Sequence, residues 1–267
     1  MSEIRRNVPQ NFPKNGVRMP PLFWKRRVAH DAFRLSSTRW PWFLLPAATL
    51  ALLCMATLDG PVAVARDAMS SRFQGFAARL TDVTTAPWIL GASGTVTLLA
   101  LAAVTFLAGP RAKFRAALVL HQGFYLFCSV ALASATVNVV KRLIGRARPT
   151  LFDTVGDLHF NVGVWAYDYA SFPSGHSTTS GAIFAGLALL YPRLGPLFAA
   201  FAIFFGFARI AVGAHYPSDV SAGLFYGAWV SVLVACVFAR YRLLFAVPET
   251  GLPVRRRRPR PRDRLRS

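Results

Sequence analysis

Six stretches of the chain carry almost no charge, and this feature restricts the possible folds more than any other. A helix needs about 20 mostly apolar residues to cross a bilayer. Helices on the surface of a soluble protein show a polar face that repeats every 3.6 residues, and these stretches show none. We therefore predict an all-α polytopic membrane protein, built as a bundle of six transmembrane helices. The six stretches are 40–58, 86–110, 116–140, 177–192, 194–208 and 220–239.

The stretches differ in length. Three of them, 86–110, 116–140 and 220–239, are long enough to span a bilayer, whereas 177–192 and 194–208 need polar flanking residues to complete a span. The alternative is a soluble bundle of buried helices. A removable signal peptide is disfavoured, because the first stretch follows a long basic segment and precedes no small-residue cleavage site.

Basic residues indicate the orientation in the membrane. The chain has 31 Lys and Arg against 11 Asp and Glu, a net charge of +20. Because Lys and Arg collect in cytoplasmic loops, we predict cytoplasmic termini and cytoplasmic loops at 109–115 and 191–195. Segments 141–168 and 209–219 then face the opposite side. The predicted divisions are a basic cytoplasmic N-terminal segment (1–39), a six-helix membrane domain (40–240) and an Arg-rich cytoplasmic tail (241–267).

The tail ends in the sequence RRRRPRPRDRLRS. Runs of this kind bind nucleic acid in some proteins. Directly after a membrane helix, a disordered segment lying against anionic lipid headgroups is the simpler interpretation. We therefore expect the lipid bilayer, and no nucleic acid, as the partner of the tail.

Three polar segments interrupt the apolar pattern, all on the predicted outer side. Ionisable residues in or beside membrane spans are energetically costly and are functional by default. These segments are therefore the candidates for an active site. They are KRLIGRARP at 141–149, ASFPSGHSTTS at 170–180 and ARIAVGAHYPSD at 208–219.

Five residues of these segments have the chemistry of a phosphate site. Lys141 supplies fixed positive charge, and Arg148 and Arg209 can each bind two oxygens through one guanidinium. Ser174 and Gly175 stand just before an apolar helix, where unpaired N–H groups favour an anion. A glycine also lets the backbone approach a ligand without a Cβ in the way. We predict that these five residues bind phosphoryl oxygens.

Two histidines lie in different surroundings. Asp219 follows His215 by four residues, and Pro217 suits the first turn of a helix. The carboxylate can therefore orient the imidazole and stabilise its cation. His176 has no acid nearby in sequence and is free to donate a proton. Such a pair suits a nucleophile and a general acid.

The three segments resemble the signature of the type 2 phosphatidic acid phosphatase family. Its pattern is Lys-x6-Arg-Pro, then Pro-Ser-Gly-His, then Ser-Arg-x5-His-x3-Asp. The elements match at 141–149, 173–176 and 208–219, except that Ala208 stands where the family has serine. The missing hydroxyl weakens hydrogen bonding around the site but removes no group that performs chemistry. The resemblance extends over roughly residues 86–240.

The resemblance implies a six-helix membrane core that hydrolyses phosphate esters without a metal or other cofactor. It implies that His215 attacks phosphorus and forms a phosphohistidine, that Asp219 orients and balances His215, and that His176 protonates the leaving oxygen. Water then releases phosphate. The five residues named above are implied to hold the phosphoryl oxygens.

The other polar residues have simpler explanations. Arg142 and Arg146 are predicted to face lipid and to extend their guanidinium groups to the headgroups. A lone histidine is usually structural, and we expect this of His30, His121 and His159. The acidic residues at 150–170 are expected to be solvated, although this loop is also a candidate cover for the substrate.

Metal binding is disfavoured. No HExxH pattern is present, and His215 with Asp219 is not a complete ligand set. The cysteines lie far apart within apolar stretches, so they indicate neither a metal site nor a disulfide framework. They are Cys54, Cys128 and Cys236.

Three functions are compatible with these residues. The first is a phosphatase acting on a lipid phosphate or diphosphate, in which the headgroup enters the site while the tails remain in lipid. The second is an enzyme like the vanadate-dependent haloperoxidases, and the third is a lipid headgroup transporter or scramblase. The phosphatase is favoured, in a bacterial inner membrane with its site facing the periplasm. Phosphatidic acid, undecaprenyl diphosphate, phosphatidylglycerol phosphate and lipid A phosphates are all possible substrates.

Overall fold

The structure is a computed structural model that describes residues 35–67 and 69–256. Most of these residues are helical. Short 3₁₀ turns occur at Leu35–Thr38, Pro149–Leu151, Tyr167–Tyr169 and Pro192–Leu194. The α-helices are α1 (Pro41–Thr57), α2 (Asp59–Asp67), α3 (Ser71–Asp82), α4 (Ala86–Phe106), α5 (Pro110–Ile144), α6 (Phe152–Val155), α7 (Gly175–Leu190), α8 (Gly195–Ala211) and α9 (Pro217–Arg240).

Several helices are long and apolar enough to cross a membrane. In the described part of the chain there are four such spans, and the pair α1 and α2, which meet at a bend of 58°, makes a fifth if counted as one. α7 has 16 residues, about 24 Å at 1.5 Å per residue. The helices support an all-α polytopic membrane protein, while a sixth span and the side of each terminus stay predictions. The four spans are Ser71–Phe106, Pro110–Ile144, Pro192–Ala211 and Pro217–Arg240.

All six apolar stretches form helices, and the connection between the first two holds two more. No helix was predicted at 59–85, where α2 and α3 lie. Ser70 caps α3 by accepting a hydrogen bond from the Phe73 N–H at 3.3 Å. Both helices are amphipathic rather than uniformly apolar, so a search for uncharged runs does not detect them.

The bundle is centred on α5, α7 and α9. α7 and α9 approach so closely that a Cβ at Gly227 of α9 would overlap the carbonyl oxygen of Thr178 in α7. Small residues commonly permit such contacts between membrane helices. Tyr125 of α5 is fully buried and donates its hydroxyl to the Ser231 carbonyl of α9 at 3.0 Å. This core fixes the ends of the helices that carry the polar segments.

The end of α5 is set by Gly145. This residue has φ +65°, in the left-handed region, and its N–H donates to the Lys141 carbonyl at 3.0 Å. A side chain here would also overlap the carbonyl of Asn161, so glycine suits both the turn and the close approach. Past this turn the chain leaves the helix axis, and Arg146 pairs with Phe160 in an isolated antiparallel bridge.

The beginning of the predicted tail is folded. Two short antiparallel strands, β1 (Phe245–Ala246) and β2 (Val254–Arg255), follow α9. Phe245 is fully buried, and its ring lies 4.8 Å from that of Tyr125. Leu243 and Phe245 of this segment therefore belong to the hydrophobic core. The disorder predicted for the arginine run at 255–267 stays a prediction beyond residue 256. The rest of the tail, and the N-terminal segment before residue 35 with His30, lie outside the described residues.

Candidate active site

The three polar segments meet at one end of the bundle. Lys141 lies in the last turn of α5 and Arg209 in the last turn of α8, while His176 is the second residue of α7. His215 precedes α9, and Asp219 is in its first turn. Lys141 and Arg209 act electrostatically on His176, as does His215. The structure therefore brings together residues that lie far apart in the sequence.

The turn before α7 is tied to both sides of this cluster. The Ser174 N–H donates to the Asp219 carbonyl at 3.0 Å. Its hydroxyl oxygen caps α7, accepting from the N–H and the hydroxyl of Ser177 at 3.4 and 3.0 Å. A Cβ at Gly175 would lie 3.4 Å from Lys141 Nζ. The lysine amine therefore stands directly beside the N-terminus of α7, where an anion is favoured.

Asp219 is fully buried, and both of its oxygens accept hydrogen bonds. Oδ1 accepts from Arg146 Nη1 at 2.7 Å. Oδ2 accepts from the Ser171 hydroxyl at 2.6 Å and from the Tyr216 N–H at 2.9 Å. His215 Nδ1 lies 3.5 Å from the same Oδ2. The carboxylate is thus held in one orientation, with one oxygen directed at the imidazole.

His215 is 2% exposed. Its Nδ1 has no hydrogen-bond partner in the described part of the chain, and catalytic hydrogen bonds of this kind often shorten when substrate binds. Burial lowers the pKa of His215 to about 4, with Arg148 and Lys141 adding to the effect and Asp219 opposing it. The imidazole is therefore neutral at pH 7. Because Nδ1 faces Asp219, Nε2 is the nitrogen available for attack.

Three cations, which we call the cationic rim, surround the histidines: Lys141, Arg148 and Arg209. All are at least nine-tenths buried, and none forms an ion pair with another described residue. Burial lowers the pKa of Arg148 below its ordinary value, the direction expected for a cation removed from water. An anion bound here would offset that desolvation.

The arginines of the rim have N–H groups to spare. A guanidinium has five N–H donors, and Arg148 gives one each to the carbonyls of Tyr167, Ala214 and Ala170, at 3.0, 3.1 and 3.3 Å. Arg209 donates from Nη1 to the Thr81 hydroxyl at 2.9 Å. Its buried Nε has no partner among the described residues. Buried donors are normally satisfied, so these groups indicate a bound anion.

Arg146 does not face lipid, and that prediction is wrong. Its side chain is fully buried, because the turn at Gly145 directs the chain back over the bundle. Nη1 donates to the Ser218 hydroxyl at 2.6 Å and to Asp219 at 2.7 Å, and Nη2 donates to Asp59 Oδ2 at 2.8 Å. Burial acts against the charged form, but the carboxylates of Asp219 and Asp59 raise the pKa of Arg146. We call Asp59, Arg146, Ser218 and Asp219 the buried floor.

Comparisons with known proteins identify the family. The family model of the PAP2 superfamily matches residues 122–242. A lipid A 1-phosphatase of Rhizobium johnstonii is 37% identical over 251 residues, which cover 94% of this chain and 96% of that protein. The chain belongs to the PAP2 superfamily. A lipid A 1-phosphatase of Rhizobium etli is 39% identical over 82% of this chain and 94% of its own length.

A solved structure shows the same fold in another PAP2 protein. The crystal structure of a transmembrane PAP2-type phosphatidylglycerolphosphate phosphatase from Bacillus subtilis superimposes with a TM-score of 0.51 at 18% identity. The likeness covers 75% of this chain and 94% of that one. PAP2 membership confirms the family resemblance of the three polar segments. The chain is therefore an integral membrane phosphatase rather than a transporter, and its apolar spans distinguish it from a soluble haloperoxidase-like enzyme.

Sequence analysis missed several residues of the site. Asp59 and Thr81 lie before the region that the PAP2 model matches, and their partners Arg146 and Arg209 are 87 and 128 residues away in the chain. The carboxylate of Asp59 directly after an apolar stretch was a usable signal, since ionisable groups beside spans are often functional. Thr81 carries no such signal in the sequence.

Arg142 also differs from its prediction. It is half-buried, and its guanidinium contacts the protein instead of extending free toward the headgroups: Nη1 donates to the carbonyls of Trp165 and Ala166. Its guanidinium lies 5.5 Å from the centre of the Trp165 ring. The guanidinium of Arg148 stacks 4.0 Å from the Tyr167 ring in the same loop. The 150–170 loop therefore packs against the cationic rim.

The two other histidines that the structure describes, His121 and His159, make ordinary structural contacts. His121 Nδ1 lies 2.6 Å from the Ala117 carbonyl in its own helix, and the His159 ring lies 5.9 Å from that of Tyr169. Within the residues that the structure describes, no three His, Cys, Asp or Glu side chains are placed to share a metal ion. Metal-independent catalysis stays a prediction, tested below.

Proposed function

We propose that the chain hydrolyses a phosphate monoester or diphosphate of a membrane lipid through a phosphohistidine. One observation carries this proposal. Buried N–H groups of the cationic rim that have no partner among the described residues lie around His215, whose Nδ1 faces the carboxylate of Asp219. The rim matches the charge of a phosphoryl group, and the neutral imidazole is a competent nucleophile.

Binding places the phosphoryl oxygens on the rim. The free N–H groups of Arg148 and Arg209, the Lys141 amine and the Gly175 N–H receive them. Ser174 positions these donors by capping α7 and by giving its own N–H to the Asp219 carbonyl. These donors are held by the surrounding structure before the substrate arrives, so charge that develops on the oxygens is stabilised without reorganisation. Ala208 is buried and contributes no hydroxyl here.

Attack by His215 Nε2 forms the nitrogen–phosphorus bond while the bond from phosphorus to the lipid oxygen breaks. The bound phosphoryl anion offsets the positive groups around His176 and favours its protonated form. The protonated imidazole donates its proton to that oxygen, and the lipid alcohol or lipid phosphate departs. His176 then accepts a proton from water as the water oxygen attacks the phosphohistidine. Inorganic phosphate leaves, and His215 is neutral again. Asp219 balances the positive charge that His215 carries while it is bonded to phosphorus.

The relatives favour a glycolipid as the substrate. Two proteins that align with this chain over nearly their whole length are lipid A 1-phosphatases. We propose that the substrate is a sugar-linked phosphate of a lipid A type molecule. Its headgroup would meet the 150–170 loop, where Trp165 and Tyr167 are strongly exposed beside the arginines that they contact.

An apolar cavity of about 650 Å³ supports a lipid substrate. It runs along α1, α7, α8 and α9, with Phe43, Ala185 and Ala202 among its lining residues. Pro217 and Val220, which flank Asp219 in the chain, line it as well, so the cavity begins beside the candidate active site. We propose that it holds one acyl chain of the substrate while the phosphate lies on the rim.

The membrane arrangement completes the proposal. We propose six spans with cytoplasmic termini, in which residues 40–240 form the catalytic domain between a basic N-terminal segment and an Arg-rich tail. The active site then faces the periplasm of a bacterial inner membrane. The excess of Lys and Arg outside the signature segments supports this orientation.

Phosphate release from a panel of lipids in detergent micelles tests the proposed function. The panel consists of lipid A, phosphatidic acid, phosphatidylglycerol phosphate and undecaprenyl diphosphate. Each lipid is assayed with and without an excess of a metal chelator. We expect lipid A to lose its 1-phosphate fastest, with the rate unchanged by chelator. Rates dependent on an added divalent ion would contradict the mechanism, and a preference for another lipid would contradict the substrate.

A variant that fills the cavity tests acyl-chain binding separately. Ala202→Phe should raise KM for a long-chain lipid about tenfold, on the scale of a few methylene contacts. It should leave hydrolysis of p-nitrophenyl phosphate, which has no acyl chain, unchanged. Leu197→Phe is the matched control, because Leu197 is an exposed residue of the same helix that is absent from the cavity lining. If the two variants had the same KM for the long-chain lipid, the proposal that the cavity binds an acyl chain would be wrong.

A further inference from the structure

The buried floor reaches beyond the signature to the bend between α1 and α2. Asp59 is the first residue of α2 and is fully buried. Its Oδ1 accepts from the Ser218 N–H at 3.1 Å, and its Oδ2 accepts from the Ser218 hydroxyl and from Arg146 Nη2. Asp59 thus contacts the first turn of the helix that carries Asp219.

Arg146 has no donor left for a ligand. Its two Nη atoms bond Ser218, Asp219 and Asp59, and its Nε and Nη2 both donate to the Asp157 carbonyl, at 3.1 and 2.8 Å. All five N–H groups are used. This arginine therefore serves the protein rather than the substrate, in contrast to Arg148 two residues later.

Stability alone is a weak explanation for this cluster. Removing an arginine and two carboxylates from water is costly, and well-packed apolar residues often stabilise a protein as well or better. The charges are more informative. Asp59 and Arg146 neutralise each other, which leaves Asp219 with a full negative charge toward His215. Without Asp59, the positive charge of Arg146 would be balanced by Asp219 alone.

We propose that Asp59 and Arg146 are positioning residues that act on His215 through Asp219. Arg146 holds Oδ1, which directs Oδ2 at His215 Nδ1. Asp59 balances Arg146, which keeps the carboxylate of Asp219 strong enough to stabilise the positive histidine formed during attack. The inference rests on the proposed function, since it concerns the nucleophile of that reaction.

The consequence is a pH dependence with a defined sign. The charged and titratable groups that act on His215 are Asp219 of α9, Lys141 of α5, Arg148 in the segment after α5, and His176 of α7. Removing the negative charge of Asp59 should make protonation of His215 harder. Removing the positive charge of Arg146 should make it easier. The two variants are therefore expected to move the acid limb of the rate profile in opposite directions.

Asp59→Asn and Arg146→Gln in the full chain test this directly. The ratio of variant to wild-type kcat/KM on p-nitrophenyl phosphate is measured from pH 7 downward, so that ionisation of the substrate cancels. We expect Asp59→Asn to lower the rate about tenfold at pH 7, with the ratio rising toward 1 as the pH falls. For Arg146→Gln the ratio should fall further, because its acid limb lies about one pH unit higher.

Two more variants separate charge from architecture. Arg146→Lys keeps the positive charge and loses the fork, so its rate should fall with no change in the position of the acid limb. The double variant Asp59→Asn with Arg146→Gln restores the net charge that His215 meets. Its acid limb should return to the wild-type position, a non-additive result. Asp153→Asn and Arg193→Gln are matched controls at exposed positions.

The outcomes are distinguishable from failure of the proposed function. A wild type without phosphatase activity would overturn that function and this inference with it. An active wild type, with coincident acid limbs in the two single variants, would overturn only the positioning role. If the single variants do not fold, a displaced acid limb in either Arg146→Lys or the double variant would overturn it.

Discussion

The cationic rim and the buried floor use the same residue type in opposite ways. Arg148 keeps N–H groups free, and burial lowers its pKa, whereas Arg146 spends every N–H on the protein, and two carboxylates raise its pKa. The two residues are separated by Ala147 alone. The comparison teaches that an arginine in an active site is assigned by its unused donors and not by its charge or position in a motif.

The largest effect is expected where the two regions meet. His215→Ala removes the proposed nucleophile, which lies between the floor and the rim. We expect turnover to fall by roughly 10⁴-fold or more and the phosphoenzyme to disappear. Quenched-flow trapping of phosphohistidine with labelled lipid measures both. A phosphoenzyme that persists in this variant would break the comparison, since the floor would then serve some other group.

The charges that act most strongly on His176 are those of the rim, Lys141, Arg148 and Arg209, and not the carboxylates of the floor. His176→Ala should slow hydrolysis of an alkyl phosphate by about 10²–10⁴-fold, the usual value of general acid catalysis. It should slow p-nitrophenyl phosphate far less, because that leaving group departs with little help from a proton. Parallel rates on the two substrates provide the measurement. Equal losses would show that His176 is not the leaving-group acid.

Arg209 tests whether unused donors mark the phosphate site. Arg209→Gln should lower kcat by about 10²–10³-fold, as expected when a donor to the developing charge is lost. Inhibition by orthovanadate, which imitates five-coordinate phosphorus, should weaken in parallel. Arg193→Gln is the control, because Arg193 is exposed between α7 and α8. Unchanged vanadate inhibition in Arg209→Gln would mean that its free Nε serves no phosphoryl oxygen.

The smallest effect is a shift along the pH axis. The proposed nucleophile must be neutral, so the pKa of about 4 for His215 predicts an acid limb in which activity is lost as the pH falls through that value. Arg148→Gln removes a cation that lowers this pKa, so the acid limb should move up by about one pH unit. The ratio of variant to wild-type kcat/KM against pH checks this. A limb that moves down would contradict the assignment of Arg148 to the rim.

Much of the site was predictable because its partners lie close together in the sequence. The four-residue spacing of His215 and Asp219 brings them together around the first turn of α9. The N-terminus of α7 falls at Gly175 because Ser174 caps it. The free donors of Arg148 and Arg209 agree with the predicted phosphate-binding role, which stays a proposal until the variants are measured.

The wrong and missed predictions share one cause. A local sequence pattern gives no information about a contact partner that lies far away in the sequence. Arg146 was predicted to face lipid because snorkelling is common for arginines near the ends of membrane helices. The turn at Gly145 and a carboxylate 87 residues earlier bury it instead. Local pattern likewise gave no sign that Phe245, which follows the last apolar stretch, fills a place in the core against Tyr125.

The sequence by itself determined that this chain enters the membrane as apolar helices and carries a phosphatase signature. Both follow from properties within single segments: hydrocarbon-length runs without charge, and functional groups at fixed local spacing. Only the tertiary structure decided which arginine keeps free donors and which gives all of them to Asp59, Asp219 and their neighbours. That choice depends on where α1 bends and α5 ends, because those two points bring Asp59 to Arg146 and use up its donors.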